Sequence, residues 1–319
     1  MKKLAVLLTI VMVFSCFAGF AVAEEPLKIG VVLKTMASEY WIAMAKGIED
    51  KAAELGVEVT ILAASSESDM AGQLQILENM LAGGYDGIGV APISDTNLIN
   101  GVAKACEMGI PVVDLDQQFN SDELKAVGGW LVGYCTTDYV VTGRQGGEYL
   151  LQCMGGSGEA AIIEGMAGNL SSESRKQGST EVLEAAGVKI VASQPCDWDR
   201  QKAMDAATNI LSANPKVTGF YCCNDTMALG VQQAVDNMNL TGKVFVVGTD
   251  GNTEAIQSIA DGHMAGTAAQ KPDVIGAVCL EMLVNFIREG KQGGVDYEME
   301  NVLLDSYIIN AENVNEYLK

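Results

Sequence analysis

The chain has 319 residues and a mass of 33.7 kDa, with 41 acidic residues against 20 Lys and Arg and a formal charge of −21. A surface this negative repels phosphate backbones and anionic lipid, which argues against nucleic acid and acidic membranes as partners. The single histidine, His263, excludes multi-histidine metal sites and argues against a histidine-based triad, and the length fits two domains with sizeable cores.

The N-terminus opens with Lys2 and Lys3, runs apolar from Leu4 to Phe20, and ends in the small-x-small pattern Ala21–Ala23 before Glu24 and Glu25. This is a secretory signal peptide, which predicts a periplasmic or other extracytoplasmic location. Cleavage after Ala23 removes the two lysines and no acid, taking the charge to −23. Two alternatives attach to the same stretch: an uncleaved anchor, and a membrane tether by lipidation at Cys16, although Phe14 fits a lipoprotein box poorly.

From Lys28 onward, short apolar runs alternate with segments of helical period. Strands are predicted over Lys28–Leu33, Val57–Ala63, Gly87–Ala91 and Ile110–Leu115. Between them lie helices over Trp41–Leu55, Met70–Ala82 and Asn97–Met108, ended by Gly56, Gly83 and Gly109. Strand runs without polar alternation, separated by helices, indicate parallel sheets covered on both faces. The pattern pauses over 119–138 and restarts with a helix over Gly143–Met154. Strands follow at Ala160–Ile163, Lys189–Ala192, Val217–Tyr221 and Val244–Val247, with helices beginning near Ser172, Arg200 and Thr226. A helix over 272–289, a strand over Val302–Ile309 and a helix over Glu312–Leu318 end the chain. The segments Met108–Asp114 and Thr241–Val247 are locally alike, and their strands run out at Asp116 and Asp250. Two lobes of one architecture follow.

Seven cysteines follow the leader: Cys106, Cys135, Cys153, Cys196, Cys222, Cys223 and Cys279. The number is odd, there is no C-x-x-C pair, and most contexts are apolar, which predicts core packing rather than a disulfide framework. Met154–Glu159 is Gly-rich but precedes a strand, so it reads as a turn rather than a phosphate loop. His263 reads as a solvated turn residue.

In doubly wound sheets, ligands bind beyond the carboxyl ends of the strands. Here those ends carry Lys34, Asp116, the Gly165–Asn169 loop, Asn224, Asp225 and Asp250, with Tyr40, Trp41 and Trp198 as aromatic neighbours. Flat rings with carboxylates, amides and cations suit a sugar: its C–H face stacks on a ring, and its hydroxyls need donors and acceptors. Asp116 and Asp250 could instead act as a glycosidase acid and base, but their placement on different lobes argues against that. Asp114 and Asp225 also read as caps for backbone N–H groups at strand ends.

The chain resembles the periplasmic sugar-binding proteins of the ribose-binding type over essentially its whole mature length. The resemblance rests on Val32–Thr35, Trp41 with Lys46–Asp50, Ile162–Gly165 with Ala167–Asn169, and Ala192–Pro195 with Asp197–Arg200. Further matches are Asn224–Ala228 and Val246–Gly251. It implies two similar doubly wound α/β lobes joined by a three-strand hinge, with crossings near 133–138, 269–272 and 301–304. The implied lobes are residues 24–136 with 271–301, and 137–270 with 302–319.

The implied ligand site holds Lys34, Tyr40, Trp41 and Asp116 from the first lobe. Asn169, Arg175, Trp198, Asn224 and Asp250 come from the second, and Gln270 from a crossing. Tyr40, Trp41 and Trp198 would sandwich the ring, Asp116 and Asp250 would accept, and the others would donate. Ribose-binding members carry a basic residue where Gln117 stands, while here Lys34 supplies a charge. That departure argues against ribose and for a hexose, and the resemblance implies D-allose or a close hexose as the ligand. Ser38 and Glu39 replace the usual Asn-Pro, and Tyr40 replaces Phe. Other polyols (D-psicose, ribose, a cyclitol) and a sugar sensor without transport are the alternatives. The implied partners are a membrane permease of an ABC importer and a chemoreceptor. The implied protein is a monomer without metal or cofactor that does no chemistry on the sugar.

Overall fold

A computed structural model describes residues 25–318; the leader and the candidate lipidation site at Cys16 lie outside them. The first run of elements is β1 (Lys28–Leu33), α1 (Glu39–Leu55), β2 (Glu58–Ala63), α2 (Met70–Leu81), β3 (Gly87–Val90), α3 (Ile99–Glu107), β4 (Val112–Leu115), α4 (Ser121–Ala126) and β5 (Gly133–Thr137). The second is α5 (Tyr139–Cys153), β6 (Glu159–Glu164), α6 (Leu170–Ala185), β7 (Lys189–Pro195), α7 (Arg200–Ala213), β8 (Val217–Cys222), α8 (Asp225–Asn237), β9 (Phe245–Asp250), α9 (Thr253–Ala260) and β10 (Gly266–Ala269). Then come α10 (Pro272–Arg288), β11 (Glu300–Leu304), β12 (Tyr307–Asn310) and a single 3-10 turn over Val314–Glu316.

These strands form two sheets of one design. One is ordered β2-β1-β3-β4-β5-β11 and the other β7-β6-β8-β9-β10-β12. All neighbours are parallel except β12, which runs antiparallel to β10. The central strands β3 and β4 are buried at every residue, as their unbroken apolar sequences require, while the edge strand β2 alternates with exposed positions. The chain crosses between lobes after β5, after β10, and between β11 and β12.

Three elements differ from the sequence expectation. The strand predicted over 302–309 is two strands in different sheets, separated at Asp305 and Ser306. The predicted helix over 312–318 is one 3-10 turn, because only Val314 gives it a buried anchor. Within the pause, α4 forms on a reciprocal cap: Asn120 accepts from Glu123 N at 3.2 Å and donates to its carboxylate at 2.9 Å.

Glycine decides how closely α5 and α6 can approach. A Cβ on Gly143 would lie 2.1 Å from Arg175 O, and one on Gly178 would lie 2.1 Å from Val140 O. Bare backbone on both helices therefore seats Arg175 against the start of α5.

Candidate functional site

The carboxyl ends of the two sheets face each other across a cavity. It is lined by Lys34, Tyr40, Trp41 and Asp116 from one lobe and by Arg175, Trp198, Asn224 and Asp250 from the other. Ser38, Glu67 and Ser171 complete the wall and were not among the predicted residues. Asn169 and Gln270 stand just outside it.

On the first lobe, Asp116 follows β4 with φ 67°, a conformation rare for a residue with a Cβ. Its carbonyl accepts from Tyr134 Oη at 2.9 Å and Tyr139 Oη at 2.7 Å, which fixes the backbone. Its carboxylate accepts from Tyr40 Oη at 2.7 Å through Oδ1, and Lys34 Nζ lies 3.8 Å from Oδ2. Lys34, at the end of β1, also donates to Gln117 Oε1 at 3.1 Å and lies 5.2 Å from the Trp41 ring centre. Trp41 Nε1 donates to Glu67 Oε1 at 2.9 Å, and burial raises the Glu67 carboxyl above its ordinary value.

On the second lobe, Trp198 packs flat against the end of β6. A Cβ on Gly165 would meet three of its ring carbons within 2.4 Å, so only glycine admits the indole there. Trp198 itself takes φ 61° and Asp250 takes φ 126°; backbone strain of this kind concentrates at ligand sites. Asp250 Oδ1 accepts from Gln270 Nε2 at 2.8 Å and lies 3.6 Å from Arg175 Nη1. Burial lifts its carboxyl to about 7, although Arg175 and the Gln270 bond pull it down. Asn224 caps α8 with its oxygen, accepting from Met227 N at 2.9 Å, so its amide nitrogen remains available to donate.

Two buried donors at this site have no partner: Arg175 Nε and Trp198 Nε1. An unpaired buried N–H costs about 1–3 kcal/mol, so a cavity that gathers two of them is built for acceptors from outside the chain.

Other contacts join the lobes directly. Asn169 Nδ2 donates to Gln117 Oε1 at 2.9 Å and to Ile93 O at 3.3 Å, while its oxygen caps α6. Its amide is thus spent on the opposite lobe. At the rim, both oxygens of Glu39 accept from Thr253 N at 3.0 Å, and Thr253 Oγ1 also donates to Glu39.

Asp114 and Asp225 are the caps they were expected to be. Asp225 Oδ2 accepts from Gly251 N and Asn252 N at 2.8 Å each, and Asp114 accepts from Phe119 N at 3.2 Å. Burial raises both carboxyls well above their ordinary values. Half-exposed His263 pairs with Asp236 at 3.0 Å, away from the cleft. Among the described residues no helix is long and apolar enough to cross a membrane, and no cluster of His, Cys, Asp and Glu could hold a metal.

Residues 29–292 match the family model for the periplasmic binding protein domain. The chain is 47% identical over 294 residues to the D-allose-binding periplasmic protein of Escherichia coli K12, covering 92% of this chain and 93% of that one. It is 30% identical over 278 residues to a ribose import binding protein of Haemophilus influenzae, covering 87% and 91%. The crystal structure of an ABC transporter periplasmic solute binding protein from Actinobacillus succinogenes 130z with bound D-allose superposes with a TM-score of 0.84. Identity to it is 31%, over 92% of this chain and all of that one.

Proposed function

The chain belongs to the periplasmic binding protein family, and on that premise we propose that it is the sugar-binding subunit of an ABC importer, taking D-allose or a close hexose between its lobes. The observation that carries this reading is the pair of unpartnered donors, Arg175 Nε and Trp198 Nε1, in a cavity walled by Trp41, Tyr40, Trp198 and three carboxylates. The rings would take the C–H face of the sugar. Asp116 and Asp250 would accept from hydroxyls, and Lys34, Arg175 and Asn224 would donate.

Binding would proceed by lobe closure about the three crossings. The ligand stabilises the closed state because only there do both walls touch it. A wrong epimer would leave a buried donor or acceptor unpaired, at roughly 1–3 kcal/mol per group. Asn169 and Gln270 would act one step back, Asn169 by joining the lobes and Gln270 by holding Asp250. The closed form would be read by a membrane permease and, as a second reader, a chemoreceptor. The protein would work as a monomer outside the cytoplasmic membrane, tethered to it if Cys16 is lipidated.

The relatives are solute-binding proteins, and we read this chain as leaving its sugar unchanged. Asp116 and Asp250 stand on opposite lobes and are each held by a neighbour, which suits acceptors better than a proton-transfer pair. Calorimetric titration with D-allose, its epimers, pentoses and cyclitols tests the reading. D-allose or a near epimer should bind most tightly, with recovery of intact sugar. Failure of every sugar to bind, or turnover of a labelled one, would overturn it.

A further inference from the structure

We propose that Glu67 is a specificity-determining residue of the cleft: one carboxylate oxygen fixes the Trp41 indole, and the other accepts from one hydroxyl of the bound sugar. This deepens the sugar-binding reading and rests on it.

Glu67 stands in the loop that joins β2 to α2. That loop is tied by its own polar side chains. Asp69 Oδ2 accepts from Ser65 Oγ at 2.7 Å and from Ser65 N at 3.3 Å, and its Oδ1 caps α2 by accepting from Gly72 N at 2.9 Å. Asp69 N donates to Ser66 O at 3.2 Å, and the Ser66 and Ser68 hydroxyls lie 3.0 Å apart. The other side chains of 65–69 are thus bonded around the turn. Glu67 alone among them lines the cavity.

There, Oε1 accepts from Trp41 Nε1 at 2.9 Å. An indole N–H points outward in the plane of its ring, so the carboxylate sits beside the ring edge. A sugar stacked on the ring directs hydroxyls toward that edge. Among the described residues no donor reaches Oε2, and the neighbouring Lys34 ammonium bonds to Gln117 instead. A carboxylate oxygen at the wall of a closing cleft needs a donor once water leaves, and a sugar hydroxyl supplies one.

The sheet sets where Glu67 enters. β1, which ends at Lys34, lies between β2 and β4. Glu67 after β2 and Asp116 after β4 therefore approach from opposite sides of Lys34 and meet different hydroxyls of one ring. Holding Trp41 takes a single acceptor; a carboxylate brings a second one into the cavity.

Titration of the full mature protein and of Glu67→Gln with D-allose and its monodeoxy analogues tests this. The amide keeps an oxygen for Trp41 Nε1 but puts a donor where Oε2 was. In the unmodified protein, the analogue without the hydroxyl that Glu67 reads should bind about tenfold or more weakly than D-allose. In Glu67→Gln the affinity for D-allose should fall by a similar factor. That one analogue should then lose most of its handicap while the others keep theirs. A common loss for D-allose and every analogue would mean that Glu67 only positions Trp41, and an unchanged affinity that it does neither. Either result overturns the inference. Glu67→Asp, which withdraws both oxygens by one methylene, gives the same readout should the amide variant fold poorly. Absence of binding by D-allose and all analogues would sink the sugar reading itself, a different result from a uniform loss.

Discussion

Asp250 links the cleft to pH. Burial raises its carboxyl from an ordinary 3.8 to about 7, and burial shifts Asp114 and Asp225 the same way. An acid raised in the native state holds its proton more tightly folded than unfolded. Its stabilising contribution is full below the unfolded value and is lost as pH rises through the folded one. The melting temperature of the sugar-free protein should therefore fall from pH 4 to pH 7.5, and Asp250→Asn should flatten part of that slope. Sugar affinity should move oppositely, rising across the same window as the stronger, charged acceptor forms. A sugar-free melting curve independent of pH would contradict the assignment.

The same scale shows what was legible in the residues themselves. Lys34, Asp116, Asn224 and Asp250 were found because each stands at or just past the carboxyl end of a buried strand, where a polar group has little to do but face the cleft. Glu67 was missed because it stands four residues past the end of β2, in a serine-rich stretch, rather than at the strand end itself. Trp198 was found, but not the reason it can lie there. Gly165→Ala should test that reason: the added methyl, 2.2 Å from the indole, should lower sugar affinity at least tenfold while costing about 1–3 kcal/mol of stability. Unchanged binding would mean that Trp198 is not a platform.

At the scale of elements, Arg175 is delivered by helix packing rather than by a strand end. α6 places it over the Tyr139 ring at 5.2 Å and within 2.8 Å of Cys223 O only because Gly143 and Gly178 let α5 and α6 touch backbone to backbone. Gly143→Ala should force the helices apart, lowering stability by about 1–3 kcal/mol and weakening sugar binding with it. Fluorescence-monitored urea unfolding together with titration would separate the two effects, and a variant as stable and as tight as the parent would refute the packing argument. Periodicity revealed the alternation but not these contacts, since a glycine in a helical pattern looks like a flaw until its neighbour is known. The split between β11 and β12 was equally hidden: an apolar run carries no mark of which sheet it joins.

For the molecule as a whole, the lobes are joined by bonds that need no ligand. α9 has no side-chain cap of its own from Asn252, and Glu39, at the start of α1 in the other lobe, supplies one by accepting from Thr253 N with both oxygens. A carboxylate is favoured there by the helix dipole as well as by the bonds. Such a contact exists only when the cleft is shut, so it stabilises the closed state by a fixed amount whatever the sugar. Glu39→Ala should then weaken every ligand by one common factor, roughly two- to thirteenfold from a net 0.5–1.5 kcal/mol, chiefly through faster release. The order of preference among sugars should stay the same. Small-angle scattering of the sugar-free protein should show a larger radius of gyration for the variant, and saturating sugar should bring both proteins to the same compact value. Equal sugar-free radii, or a loss of affinity that differs from sugar to sugar, would mean that Glu39 acts on the ligand or on folding and not on closure.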